Sequence, residues 1–101
     1  MSLGATVVTY SVPAANADEL RRRVAEHVVP AARAAQGYRG FLLLDLGEDK
    51  RLAVLLFDSP QEAQAAQRLI GPVGAAQTYA LMSSPAVGAL GTALVGDGVF
   101  A

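Results

Sequence analysis

Four side chains have the type and setting for small-molecule chemistry: His27, Tyr10, Arg39 and Tyr79. His27 is the single histidine, and on the inner side of a helix it could serve as a general base or a haem ligand. A packed or half-exposed helix histidine is the structural alternative. Tyr10 could hydrogen-bond a substrate from a strand, where aromatic residues also serve as core with the hydroxyl at the edge. Arg39, close to Gly37 and Gly40, could bind an anion through its planar guanidinium, or pair with Asp45 or Asp58. Tyr79 could form part of a lid or simply pack. The chain has no cysteine, which removes disulfides, thiolate ligands and cysteine nucleophiles together. Asp58 has no second carboxylate spaced for paired acid and base work. Gly71, Gly74, Gly88, Gly91, Gly96 and Gly98 lack the lysine and hydroxyl residue of a phosphate loop. No metal and no cofactor is expected.

The elements that must position these residues are legible in outline. Ala5 to Val12 is β-branched and aromatic and ends at Pro13, which predicts a first strand. Asn16 and Glu19 have capping-box spacing before a first helix. Leu20, Val24, His27, Val28, Ala31 and Ala35 form its apolar stripe. Pro30 should kink that helix and Gly37 end it. Phe41 to Leu46 and Leu52 to Phe57 predict two strands joined by the turn Gly47-Glu48-Asp49-Lys50. Ser59-Pro60-Gln61-Glu62 is a second capping box, with proline in the first turn of a second helix. Gly71-Pro72 should break it, Gly74 to Met82 should add a short helical turn, and Val87 to Val95, with Val99 and Phe100, should form a fourth strand. The order is βαββαβ, the α+β ferredoxin-like arrangement of a four-stranded antiparallel sheet with both helices on one face.

With 101 residues, one domain spanning residues 1–101 is expected, its first four residues disordered or left over from expression. Hydrophobic residues make up 52% and charged residues 17%, which excludes intrinsic disorder. A net charge of -1 offers no general attraction to nucleic acid. The run Arg21-Arg22-Arg23 is interleaved with Asp18, Glu19 and Glu26 and reads as a solvated helix face. No basic and apolar leader and no apolar run of bilayer length appears, so a cytoplasmic protein with no membrane partner is expected.

Two helices can cover only one face of the sheet, yet strands two and three are apolar on both: Phe41 and Leu43 alternate with Leu42 and Leu44, and Ala53, Leu55 and Phe57 with Val54 and Leu56. At about 1.5–3 kcal/mol per buried large side chain, four or five such residues represent on the order of 10 kcal/mol left in water. A homodimer through the sheet face is therefore expected, with aspartate at Leu43 or Leu55 dissociating or unfolding it.

Val28-Val29-Pro30-Ala31, then Gln36-Gly37-Tyr38-Arg39-Gly40-Phe41, then Phe57-Asp58-Ser59 before an alanine-rich helix, resembles the antibiotic-biosynthesis-monooxygenase-like family of the dimeric α+β barrel superfamily, over roughly residues 5–70. The resemblance implies a dimeric α+β barrel with a pocket between the sheet and the helices of each subunit. It also implies relatives that oxidise aromatic polyketides without a cofactor or degrade haem, through pocket asparagine, tryptophan and arginine or histidine. This chain has no tryptophan, and its one asparagine, Asn16, is taken by the helix cap. The expected function is therefore a small-molecule-binding or stress-related module without those catalytic residues. The alternative is a cofactor-independent monooxygenase acting on an aromatic or polyketide-like compound. A pocket of roughly 300 Å³ or more lined by two of the four named side chains would favour the enzyme.

Overall fold

The computed structural model describes residues 2–98. β1 (Gly4–Ser11) leads through a 3-10 turn into α1 (Ala17–Arg23), a π-helical turn (Val24–Val28) and α2 (Val29–Arg33). β2 (Tyr38–Gly47), β3 (Lys50–Phe57), α3 (Pro60–Thr78), a 3-10 turn (Tyr79–Leu81) and β4 (Ser84–Thr92) follow. The sheet order is β2-β3-β1-β4, antiparallel throughout, so the expected βαββαβ ferredoxin-like fold is present. Of the residues expected to be disordered, Gly4 opens β1, and the Leu3 carbonyl accepts the Ala93 N–H.

Two local signals act as read. The Ser59 hydroxyl accepts the Glu62 N–H at 3.2 Å and Pro60 occupies the first turn of α3. The β2–β3 turn is two residues long, Glu48 and Asp49, both with positive φ, the hand that matches strand twist. Gly37 is held at φ 80° beside Glu62, whose carboxylate a Cβ there would strike at 2.5 Å.

Four expectations about the helices and the last strand fail. Asn16 makes no cap: its Nδ2 donates to the Leu81 carbonyl at 3.1 Å, clamping the start of the first helix to the turn after α3. His27 is exposed and off the stripe. The Val29 N–H reaches back to the Val24 carbonyl, and this wider turn, just before Pro30, keeps spacings of four in phase. Leu20, Val24, Val28 and Ala32 are buried while the residue three after Val24 rotates outward. Gly71-Pro72 does not break α3: Pro72 sits on the exposed side, Gly71 has no Cβ to clash with the proline ring, and buried Ile70 and Thr78 anchor the helix on either side. The final turn expected at Gly74 to Met82 is thus the end of α3 plus Tyr79–Leu81. β4 begins and ends three residues earlier than expected, because its register against β1 closes where Gly4 meets Thr92. Leu94 and Val95 lie beyond it, and Val99 and Phe100 fall outside the described residues.

Alternation along the strands places Thr6, Val8, Tyr10, Phe41, Leu43, Ala53, Leu55 and Phe57 under the helices, with Val12, Leu20, Val24, Val28, Ala63, Ala66 and Ile70 completing the core. Leu43 and Leu55 therefore belong to the covered face. The opposite face carries Val7, Leu42, Leu44, Val54, Leu56 and Val87, and Leu42, Leu44 and Val87 are exposed; Lys50 lies at its end, opposite Ser11.

The arginine-rich face of α1 is an ion-pair ladder. The Glu19 carboxylate accepts from Arg22 and Arg23, and these hydrogen bonds, Arg22 first, hold its pKa at about 2 against an ordinary 4.5. A carboxylate lowered in this way adds stability that is complete above its unfolded value and is lost as pH falls through the folded one. Wild type should therefore lose its thermal advantage over Glu19→Gln between pH 4.5 and about 2. Paired melting curves check this, and a difference that stays constant across that window would show the ladder to be energetically silent, as many exposed pairs are.

Candidate functional site

A cleft of about 80 Å³ opens between α3 and the inner face of the sheet. Its floor is Val8, Tyr10, Phe41 and Leu55; its roof is Gln67, Ile70, Gly71, Gly74, Ala75 and Thr78; Val28, Tyr79 and Ala86 close its sides. Tyr10 reaches it because β1 alternates and position 10 shares the inner face with Thr6 and Val8. Tyr79 reaches it because the 3-10 turn ending α3 carries the chain across the mouth.

Tyr10 is 9% exposed, and its pKa is raised first by burial and then by the nearby Tyr79 hydroxyl, so Tyr10 is a neutral hydroxyl able to donate or accept. Tyr79 is more than half exposed. Thr78 is fully buried, with its hydroxyl donating to the Gly74 carbonyl at 2.6 Å. Gln67 Nε2 donates to Thr6 Oγ1 at 3.0 Å. The lining thus offers apolar contact with a few neutral hydrogen-bonding groups and no charge, which suits a neutral, largely apolar ligand. A second groove, about 430 Å³ and more open, continues past Gln67 along Thr6, Val8, Gly88, Ala89 and Leu90.

Of the four named residues, the structure brings Tyr10 and Tyr79 together at this cleft and leaves the others out. Arg39 sits in the β2 bulge between Tyr38 and Gly40, and its Nε is 3.3 Å from Asp58 Oδ1, the structural alternative weighed for it. His27, exposed on the far side of the π turn, is not placed to ligate a haem or take a proton in the cleft. The distance between Asn16 and any role as a cap is just as plain, since its amide is engaged with Leu81. Among the described residues no three His, Asp or Glu side chains gather as a metal site requires. Gln67 was missed by the sequence reading. The signal was there: Ala63, Ala66 and Ile70 mark the buried stripe of α3, and position 67 lies beside it.

No protein-family model and no curated protein matches the chain. Solved structures do match. A protein of unknown function from Nitrosomonas europaea superposes with a TM-score of 0.79 at 21% identity, over 96% of this chain and 94% of that one. A second Nitrosomonas europaea protein, provisionally described as an antibiotic biosynthesis monooxygenase, gives 0.75 at 15% identity, over 91% and 90%. SnoaB, a cofactor-independent oxygenase from Streptomyces nogalater, solved as an asparagine-to-alanine mutant, gives 0.75 at 18% identity, over 95% and 97%. The chain therefore shares the ferredoxin-like fold of these structures.

Proposed function

We propose that this chain is a cytoplasmic small-molecule-binding module that works as a homodimer, pairing the uncovered sheet faces of two copies, and that it has no catalytic constellation of its own. The observation that carries the binding role is the cleft itself: a buried neutral tyrosine, Tyr10, faces Gln67, Thr78 and Tyr79 across an otherwise apolar space. Two of the four named side chains line it, but its volume of about 80 Å³ falls short of the roughly 300 Å³ that a drug-sized substrate needs. Binding is thus favoured over turnover. No helix among the described residues is long and apolar enough to cross a membrane. A cysteine-free chain suits a reducing compartment.

Ligand-observed NMR with 2-naphthol as probe tests the reading. Saturable binding that is weakened by Tyr10→Phe, with no dissolved oxygen consumed when an anthrone is supplied, is the expected result. Oxygen uptake dependent on Tyr10 or Tyr79 would instead establish the alternative, a cofactor-independent oxygenase with the activity named for SnoaB. No saturable binding at all would end the small-molecule reading.

A further inference from the structure

A cleft of about 290 Å³, sharing no residue with the one around Tyr10, opens between α1 and the β2–β3 hairpin. Leu20 and Leu43 give it an apolar wall, Asp45 and Arg51 stand beside that wall, and Asp18 and Arg21 reach it from α1. Arg51 is paired with Tyr10 on β1 and with Asp45 on β2, so alternation turns it toward the helices, and its side chain is 14% exposed. This guanidinium is partly engaged. Its Nη1 donates to the Lys50 carbonyl at 2.9 Å and lies 3.1 Å from Asp45 Oδ1. Its Nε and Nη2 make no hydrogen bond among the described residues, where no fully buried polar side-chain atom lacks a partner, so these N–H groups open to the cleft. Asp45 is the converse. Its Oδ1 accepts the Gly47 N–H at 2.8 Å, and its Oδ2 accepts no hydrogen bond among the described residues. Asp18 and Arg21, both largely exposed, are 3.5 Å apart.

We propose that this cleft is a second binding site, for a free α-amino acid with an apolar side chain. The ligand carboxylate meets Nε and Nη2 of Arg51, the two donors that form one parallel edge of the guanidinium fork. The ligand ammonium meets Asp45 Oδ2, and the side chain lies on Leu20 and Leu43. Charge decides the class. Two arginines stand among two aspartates, so the cleft is neutral as a whole. A simple anion would gain Arg51 but face Asp45 at close range, and a simple cation would meet the reverse; a zwitterion complements both. Size agrees, because a cavity of about 150 Å³ already holds benzene. The site is independent of the Tyr10 cleft and of the reading given to it above.

Calorimetric titration of wild type, Asp45→Asn and Arg51→Lys tests this, with circular dichroism to check each fold. L-leucine should bind wild type saturably. Three probes each lack one element of it: 4-methylpentanoate the ammonium, leucinamide the carboxylate and glycine the apolar side chain. Each should bind roughly tenfold or more weakly than L-leucine. Asp45→Asn keeps an oxygen for the Gly47 N–H, so it should fold normally, weaken L-leucine roughly tenfold and leave 4-methylpentanoate no weaker than before. Arg51→Lys keeps the charge without the fork and should weaken L-leucine roughly fivefold or more; if it fails to fold, Asp45→Asn decides alone. No saturable binding of L-leucine to wild type overturns the proposal and leaves the Tyr10 reading standing. Wild-type affinity for L-leucine in Asp45→Asn overturns the site, and 4-methylpentanoate binding as tightly as L-leucine overturns the zwitterion.

Discussion

Aspartate at Leu55 should unfold the chain, whereas aspartate at its neighbour Leu56 should leave it folded and monomeric. The two positions differ only in which side of β3 they face. Leu55 is 3% exposed, enclosed by Val8, Phe41 and Ile70 under the helices, with no basic group lining the cleft beside it. A carboxylate there must be desolvated without a partner, on the order of 5 kcal/mol, comparable to the whole stability of a small domain at about 5–15 kcal/mol. Leu56 pairs laterally with Ala5 and Gly40 on the uncovered face beside Leu42 and Leu44, which are exposed. In a single copy its aspartate stays in contact with water and costs little. In a dimer joined through that face it would be buried twice across a two-fold axis, against its own symmetry mate. Because Lys50 lies at the end of that face and Val7, Leu42, Val54 and Leu56 form its middle, two copies meet without a repulsive centre. Sedimentation and circular dichroism separate the outcomes: wild type sediments as a dimer at micromolar concentration, Leu56→Asp as a monomer with a native spectrum, and Leu55→Asp loses its spectrum. A wild type that is monomeric, or a Leu56→Asp protein that remains dimeric, would sink the homodimer.

The contrast between these neighbours also shows where sequence reasoning stops. Apolar residues on both sides of β2 and β3 announced that two faces needed cover, but periodicity two assigns residues to opposite sides without saying which side the helices take. Only packing decides that, through the small Ala53 and Ala63 that let α3 approach. The same division runs through the helices. Ser59 and Glu62 cap α3 as read because every partner lies within one turn. Asn16 and Glu19 present the same spacing, yet Asn16 is drawn to Leu81, 65 residues away, and Glu19 to Arg22 and Arg23. His27 shifted for a reason invisible to any fixed period, a five-residue turn placed before Pro30. In the cleft, Tyr10 was legible from strand alternation. Gln67 was not, because its meaning depends on the empty space across from it.

The junction of β3 and α3 carries the other large effect. Phe57→Ala should remove about 3–5 kcal/mol, enough to leave a domain of this size marginal or unfolded at room temperature. Phe57 is completely buried at the last position of β3, paired on one side with Gly4 and on the other with Tyr38, whose ring meets it edge to face at 6.3 Å and 72°. Collapse cannot refill the site. A Cβ on Gly4 would already stand 2.6 Å from Pro60 N, so β1 and the start of α3 are in contact and cannot close further. Urea titration should show the midpoint falling with the slope unchanged while any folded protein remains. Phe57→Leu, which keeps most of the volume, should lose less. The ring pair itself is separable: a double-mutant cycle of Tyr38→Leu and Phe57→Leu should give a coupling of about 0.5–1.5 kcal/mol beyond area burial. A Phe57→Ala loss below about 1.5 kcal/mol, half the lower bound for a buried phenylalanine, would mean that the site relaxes and that the β3–α3 junction is not the rigid corner its contacts describe.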